Sequence, residues 1–300
     1  MEAVGLEADG SWTFCRRCKR RYHSQSMLAT RLVRMLTAVA LICGSTSVVP
    51  TRASGQATSP SLSGVELLRV LGDGVVGGPE PASPFRDPVR IARWQTGEWR
   101  YKITSGARSG QTEVESLALI RTTTRGETWK RTIGQESTLF LRELSGGGLV
   151  LPSQVTNQYQ ALVHFEPPLS YLIAGIGPGE SRTFNGRMDV YSANNPAIRW
   201  YTGRIRATTV YTGVYQVKTP AGAFRAALIQ TEYQIDIFAV VSVTDTLYTF
   251  YAEGIGKVAE AEHRRIAAMG LLNSDTKAGK VLVWYTSYTP VRPPTRVQAP

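Results

Sequence analysis

Beyond residue 55 the chain contains no cysteine, because Cys15, Cys18 and Cys43 all precede that point. A disulfide framework, a thiolate metal site and a cysteine nucleophile are therefore excluded for residues 56–300. Histidine is nearly as scarce: only His164 and His263 lie there, and no HxH or HExxH spacing occurs. A zinc site thus lacks its usual ligands, and no metal or cofactor is expected. A GxSxG nucleophile elbow is also missing. No apolar run reaches the ~18 residues of a membrane span. No strand-like run alternates with a convincing helical run, which argues against a parallel βαβ sheet.

What is present suits a folded domain: 300 residues, 42% hydrophobic and 19% charged. Residues 1–55 hold eight of the 34 basic and three of the 23 acidic side chains, so 26 and 20 remain beyond them, a net of +6. Charge of that size speaks to solubility and not to nucleic-acid binding.

The N-terminal quarter reads as targeting and linker sequence. From Met27, Arg31 and Arg34 precede an apolar run from Met35 to Val49, followed by small residues at Ala53-Ser54-Gly55 and Gly55-Gln56-Ala57. That is the three-part pattern of a secretory signal peptide over 27–55, and it implies export to the periplasm or beyond. Ile42 stands where a lipoprotein signal needs a small residue, so Cys43 is not read as a lipid anchor. Residues 1–26 contain one CxxC with His23 nearby, at most three zinc ligands, and read as a mis-assigned or disordered extension. Residues 56–90, rich in Ser, Gly and Pro, read as a flexible linker with one short helical run at Val65–Leu71. Within it Gly72–Gly77 matches GxGxxG, but prolines follow where a phosphate-binding helix should start.

From residue 91 to about 290 the pattern is that of a single β-rich domain, with 291–300 as a disordered tail. Turn signals recur between runs of Val, Ile, Thr, Tyr and Trp. Tyr233, Ile235 and Ile237 alternate with Glu232, Gln234 and Asp236, one face inward and one outward. Ten to twelve strand candidates are too many for a flat open sheet. The expected fold is mainly β: an antiparallel, strongly curled sheet or half-open barrel with few short helices. One conflict stands out. "KVAEAEHRRIAAMG", 257–270, has helical composition.

Thr219-Pro220-Ala221-Gly222 fits a hairpin turn, with Pro presetting φ and Gly supplying positive φ. Phe224 and Leu228 on the outgoing strand are expected to pack inward. "VYQVKTPAGAFRAALIQ" followed by "YTFYAEGIGKVAEAEH" resembles exported bacterial TapB-like domains of unknown function, through Thr219–Gly222, Phe224, Tyr251, Ala252, Gly254, Gly256 and Val258. "FEPPLSYLIAGIGPGES", 165–181, resembles an earlier segment of such domains. The resemblance implies export, names no catalytic residue, and implies that Val258 onward continues as a strand. The strand is preferred for 257–270, since tertiary context overrides propensity.

Few groups suggest chemistry. His164 reads as a packed or hydrogen-bonded residue. Glu113-x-Glu115 and Glu260-x-Glu262 place two carboxylates on one side of a strand, a pairing used in glycoside hydrolysis, but they are read as exposed charge. The stronger signal is aromatic, with binding candidates Trp99, Tyr101, Trp200 and Trp284. The leading reading is a non-enzymatic envelope protein holding an apolar or amphipathic molecule on the concave face of its sheet. Such a carrier should show an apolar concavity of several hundred Å3. Two alternatives remain: a scaffold contacting a protein partner through sheet edges and exposed aromatics, and a hydrolase with a site hidden from sequence.

Overall fold

The computed structural model describes residues 63–92, 95–123, 126–237, 241–268 and 272–287. The expected extension (1–26), signal peptide (27–55) and tail (291–300) lie outside the described residues. The described residues open with α1 (Ser63–Leu68), a 3-10 turn (Arg69–Leu71), β1 (Val76–Glu80) and α2 (Pro88–Ile91). Twelve strands follow: β2 (Gly97–Ser105), β3 (Thr112–Thr123), β4 (Gly126–Ile133), β5 (Ser137–Glu143), β6 (Leu149–Thr156), β7 (Ala161–Leu172), β8 (Ser181–Ser192), β9 (Arg199–Thr219), β10 (Gly222–Ile237), β11 (Val241–Ala252), β12 (Gly256–Ala268) and β13 (Leu272–Ser287). The 257–270 conflict is resolved for the strand: Gly256–Ala268 is paired along β11 and β13.

Each of these twelve strands pairs antiparallel with the next, and β13 pairs back onto β2. The result is a closed barrel, tighter than the half-open form expected from sequence. Closure follows from number and twist: a long, right-twisted meander brings its first and last strands together and so satisfies both edges. It also removes most of the edges on which a scaffold reading relied. Among the described residues β1 alone ends the sheet, paired on one side with the end of β9 through Val76↔Val217 and Glu80↔Val214.

The outer wall is polar along much of its length: Arg204, Arg206, Gln234 and Asp236 are exposed. A membrane-embedded barrel needs an apolar outer band there. Among the described residues no helix is long and apolar enough to cross a membrane.

Residues 63–92 correct the linker reading. Leu67, Leu71 and Phe85 are buried, at 4%, 1% and 1% exposure. Thr104 Oγ1 on β2 donates to the Val70 carbonyl at 2.7 Å, so the 3-10 turn sits on the outside of the wall. Phe85 pairs with Ile176 and its ring meets Tyr211 at 5.7 Å. Asp87 caps α2 by accepting from the Arg90 amide. Three well-placed apolar side chains anchor this Gly- and Pro-rich stretch, where composition had suggested mobility. Gly279 on β13 makes the close approach: a Cβ there would lie 2.5 Å from the Val70 carbonyl oxygen, a backbone atom. Gly279→Ala is therefore expected to cost about 1–3 kcal/mol by overpacking, read as a lower urea midpoint. An unchanged midpoint would show that the turn is not seated there.

The hairpin at Pro220-Ala221 forms as read, with Thr219 paired to Gly222 and Gly222 at φ 141°. It does not point into the barrel, however. The end of β9 and the start of β10 lie over the wall, and the Ala221 amide donates to Leu282 O on β13 at 3.3 Å. Phe224 is half-buried and Leu228 buried. Leu228 pairs with Phe250, whose neighbour Tyr251 faces the interior and bonds Tyr171 there, so Leu228 packs in an outer layer with Phe250 and Tyr215, not in the lumen.

Candidate functional site

Period-2 alternation sends every second residue of β2–β13 into the lumen. An eight-stranded barrel is just wide enough for side chains to fill, and twelve strands leave more room. Here the filling is split. β5, β6, β7, β9 and β11 contribute Leu139, Leu151, Phe165, Leu169, Ile205 and Leu247, an apolar wall. β3, β4, β12 and β13 contribute a network of charges.

Glu115 lies at the centre of that network and is completely buried. One carboxylate oxygen accepts from Lys257 Nζ at 2.7 Å and Lys280 Nζ at 2.9 Å. The other accepts from Arg131 Nε at 2.9 Å and Nη2 at 2.5 Å. Lys280 also reaches Glu113 at 2.7 Å and Glu260 at 3.1 Å, and Lys257 reaches Glu260 at 3.1 Å. Arg131 Nη1 donates to the Tyr171 hydroxyl at 3.0 Å, and the Tyr101 hydroxyl donates to Lys257 O at 2.9 Å. Toward the rim, Arg108 pairs with Glu113 and Glu136. Beside this cluster Arg264 is shared by Asp245 and Glu262.

The paired carboxylates were read as exposed charge, and the structure overturns that. Glu113 and Glu115 are 7% and 0% exposed, and the side chains of Glu260 and Glu262 are 16% and 18% exposed. Spacing placed each pair on one face correctly. What it could not give is which face.

Electrostatics separate these acids. Burial opposes the ionisation of Glu115, but Arg131, Lys257 and Lys280 outweigh it and hold its carboxyl well below the usual range. Glu260 is lowered to about 2, since Lys257 and Lys280 overcome its burial. Glu262 is pushed up to about 8: burial dominates, Arg264 opposes it, and Asp245 and Glu260 add to it. Two carboxylates sharing one guanidinium give the same direction, because a single cation cannot balance both. Burial lowers Lys257 despite Glu115 and Glu260, whereas three carboxylates raise Lys280. Burial raises the hydroxyls of Tyr101 and Tyr251, so both remain neutral donors.

Between the two walls is a cavity of about 150 Å3, reaching the rim at Ser105, Arg108, Glu136 and Ser137. Against the carrier expectation of an apolar concavity of several hundred Å3, the lumen holds a smaller, half-charged one. A second cleft, about 520 Å3, lies at the other end between residues 83–91 and the Tyr211, Val214, Ala227 and Tyr251 side of the barrel.

The aromatic candidates separate. Trp99 and Tyr101 are buried and tie β2 to the start of β12 through Ile255 O and Lys257 O. Trp284 is 44% exposed on the outer wall, with the Arg100 guanidinium 4.6 Å from its ring. Trp200 is half-buried near the start of β9. His164 is exposed with its ring edge-on to Tyr191, and His263 bonds Asp275 at 2.7 Å. Of these six residues Tyr101 meets the Glu115 network, with Lys257 Nζ and Lys280 Nζ 5.3 and 5.4 Å from its ring centre. Among the described residues no group of three or more His, Cys, Asp or Glu could hold a metal ion.

No family model and no curated protein matches the chain. Solved structures similar to it include a protein classed as exported, with a YmcC-like fold, from Bacteroides fragilis. It is 14% identical, with a TM-score of 0.39, over 69% of this chain and 100% of that one. A protein classed as a lipoprotein from Parabacteroides distasonis is 11% identical, with a TM-score of 0.32, over 69% and 100%. The hypothetical lipoprotein YmcC from Escherichia coli is 10% identical, with a TM-score of 0.29, over 75% and 98%. Likenesses this distant transfer neither function nor site to the present chain.

Proposed function

We propose that this is an exported, non-enzymatic binding barrel whose lumen takes a small amphipathic molecule. The polar end meets the carboxylate–lysine–arginine network, and the apolar part lies along Leu139, Leu151, Phe165, Leu169 and Leu247. The single observation behind this reading is the division of one cavity into a charged and an apolar wall. Buried ion networks are seldom the most stable way to fill a core. A cluster of perturbed groups beside a cavity is a functional-site signature. The signal-like sequence at 27–55 and the resemblance to exported TapB-like domains support export.

The test is native mass spectrometry of the purified barrel before and after organic extraction. A small co-purifying mass, removed by extraction, supports the reading. A clean monomer mass, together with no uptake of an apolar fluorescent probe, defeats it.

One observation favours a second reading. Glu260 near 2 and Glu262 near 8 are a carboxylate and a carboxylic acid side by side, the pattern of acid–base hydrolases. Both lysines already occupy Glu260, so it is not free to act as a base. Binding is the better fit.

A further inference from the structure

We propose that the lumen selects an organic cation, an ammonium or amidinium group on a compact apolar body, and seats the cation against Glu262. This rests on the binding-barrel reading and specifies the ligand class. Among the described residues the cavity is lined by four carboxylates, Glu113, Glu136, Glu260 and Glu262, against three cations, Arg108, Lys257 and Lys280. A chain that is basic overall therefore presents a cavity with a surplus negative charge.

The cations are already committed. Lys280 donates to three carboxylates and Lys257 to two, and Arg108 is spread over Glu113 and Glu136. Each carboxylate can accept about four hydrogen bonds, so most of the unfilled capacity at the cavity is acceptor capacity. An entering anion meets a Lys280 whose three donors are all used, a Lys257 with two of three used, and repelling carboxylates. An alcohol finds an acceptor but no charge to balance. A cation finds both.

Glu262 is the place because it stands on the seam. Across β11 its pair is Leu247, the start of the apolar wall, and across β13 its pair is the small Ala278. A head at Glu262 thus leaves its apolar body against Leu247, Tyr233 and Ile205, which line the same cavity. The groups around Glu262 are Arg264 and Glu260 on its own strand, Asp245 on β11 and Lys280 on β13, with Arg108, Glu113 and Glu136 facing from β3, its preceding loop and the turn after β4. In the empty barrel the surplus charge is relieved by a proton on Glu262, consistent with its raised titration. A bound cation takes over that role and displaces the proton.

The test uses three probes of equal length, hexylamine, hexanol and hexanoate. Each is titrated calorimetrically into the purified barrel at pH 7 in two buffers of different ionisation heat. Hexylamine is expected to bind at least about tenfold more tightly than hexanol, with hexanoate weakest, and to release close to one proton per molecule bound. In Glu262→Gln the amine should fall to the level of hexanol while hexanol is unchanged. The proton count on the unaltered protein stands even if that variant folds poorly. Hexanol or hexanoate binding as well as the amine, or amine binding without proton release, overturns the cation inference and leaves the binding barrel intact. Failure of all three to bind overturns both.

Discussion

Glu115→Gln is expected to lower the unfolding free energy by about 3–5 kcal/mol, the cost of breaking a buried ion network at one partner. The reasoning is local. Among the described residues Glu115 is the one carboxylate that bonds Arg131, Lys257 and Lys280 together. An amide keeps the shape but removes the charge. It can accept at its oxygen but offers the other cations an N–H. Lys280 retains Glu113 and Glu260, and Lys257 retains Glu260, but Arg131 keeps only its bond to the Tyr171 hydroxyl among the contacts described above. Burial then acts on an uncompensated guanidinium. Since whole domains are stable by only about 5–15 kcal/mol, the variant should unfold at much lower urea. Glu115→Gln with Arg131→Met removes the uncompensated guanidinium and should be less damaged than the two single changes combined, with a coupling of about 1–3 kcal/mol. A single-variant loss under about 1 kcal/mol would show that the lumen is wet enough to screen the cations, and the central role of Glu115 would be wrong.

The same residue shows where sequence reasoning reached and where it stopped. Strands were legible because β-branched and aromatic runs alternate between turn residues, and the 219–222 hairpin because Pro and Gly fit its turn. β12 required context: its Ala and Glu content favours a helix, and pairing to β11 and β13 on both sides outweighs that preference. Closure was only half visible, because nothing local in β13 announces β2 as its partner. The charged lumen was misread for a specific reason. In β12, Glu260 and Glu262 alternate with Ala259 and Ala261, and the apolar phase of a strand is normally its core side. Here Ala259 and Ala261 are fully buried, while α1 contacts β12 from outside. Both faces are covered, so polarity no longer reports direction. The small size of Ala259, Ala261 and Gly279 was the available signal, since small residues permit a second layer to approach. Leu67, Leu71 and Phe85 were visible too, but Gly- and Pro-rich surroundings made them look incidental.

Stability should peak near pH 5 and fall on both sides. Glu260 has a folded-state value of about 2 against an ordinary 4.5. A lowered acid contributes stability that is complete above its unfolded value and is lost as pH falls through the folded one. This amounts to about 3 kcal/mol between pH 4.5 and 2, and Glu115 acts in the same direction. Glu262 has the opposite sign. Its folded value of about 8 lies above 4.5, so the folded chain holds that proton more tightly than the unfolded chain does. Stability then declines from pH 4.5 to 8 by roughly 3–5 kcal/mol and levels off beyond. Lys280, raised above its usual range, keeps its contribution throughout this interval and loses it only in strong alkali. Urea unfolding at pH 3, 5, 7 and 9 measures the profile. Glu262→Gln should flatten the limb between pH 5 and 8 while sparing the acid limb, and Glu260→Gln should chiefly flatten the acid limb. A wild-type stability that is level or rising from pH 5 to 8 would mean that Arg264 keeps Glu262 ionised. The surplus negative charge would then be left to solvent instead of to a proton, and the lumen would hold its anionic character with no ligand present.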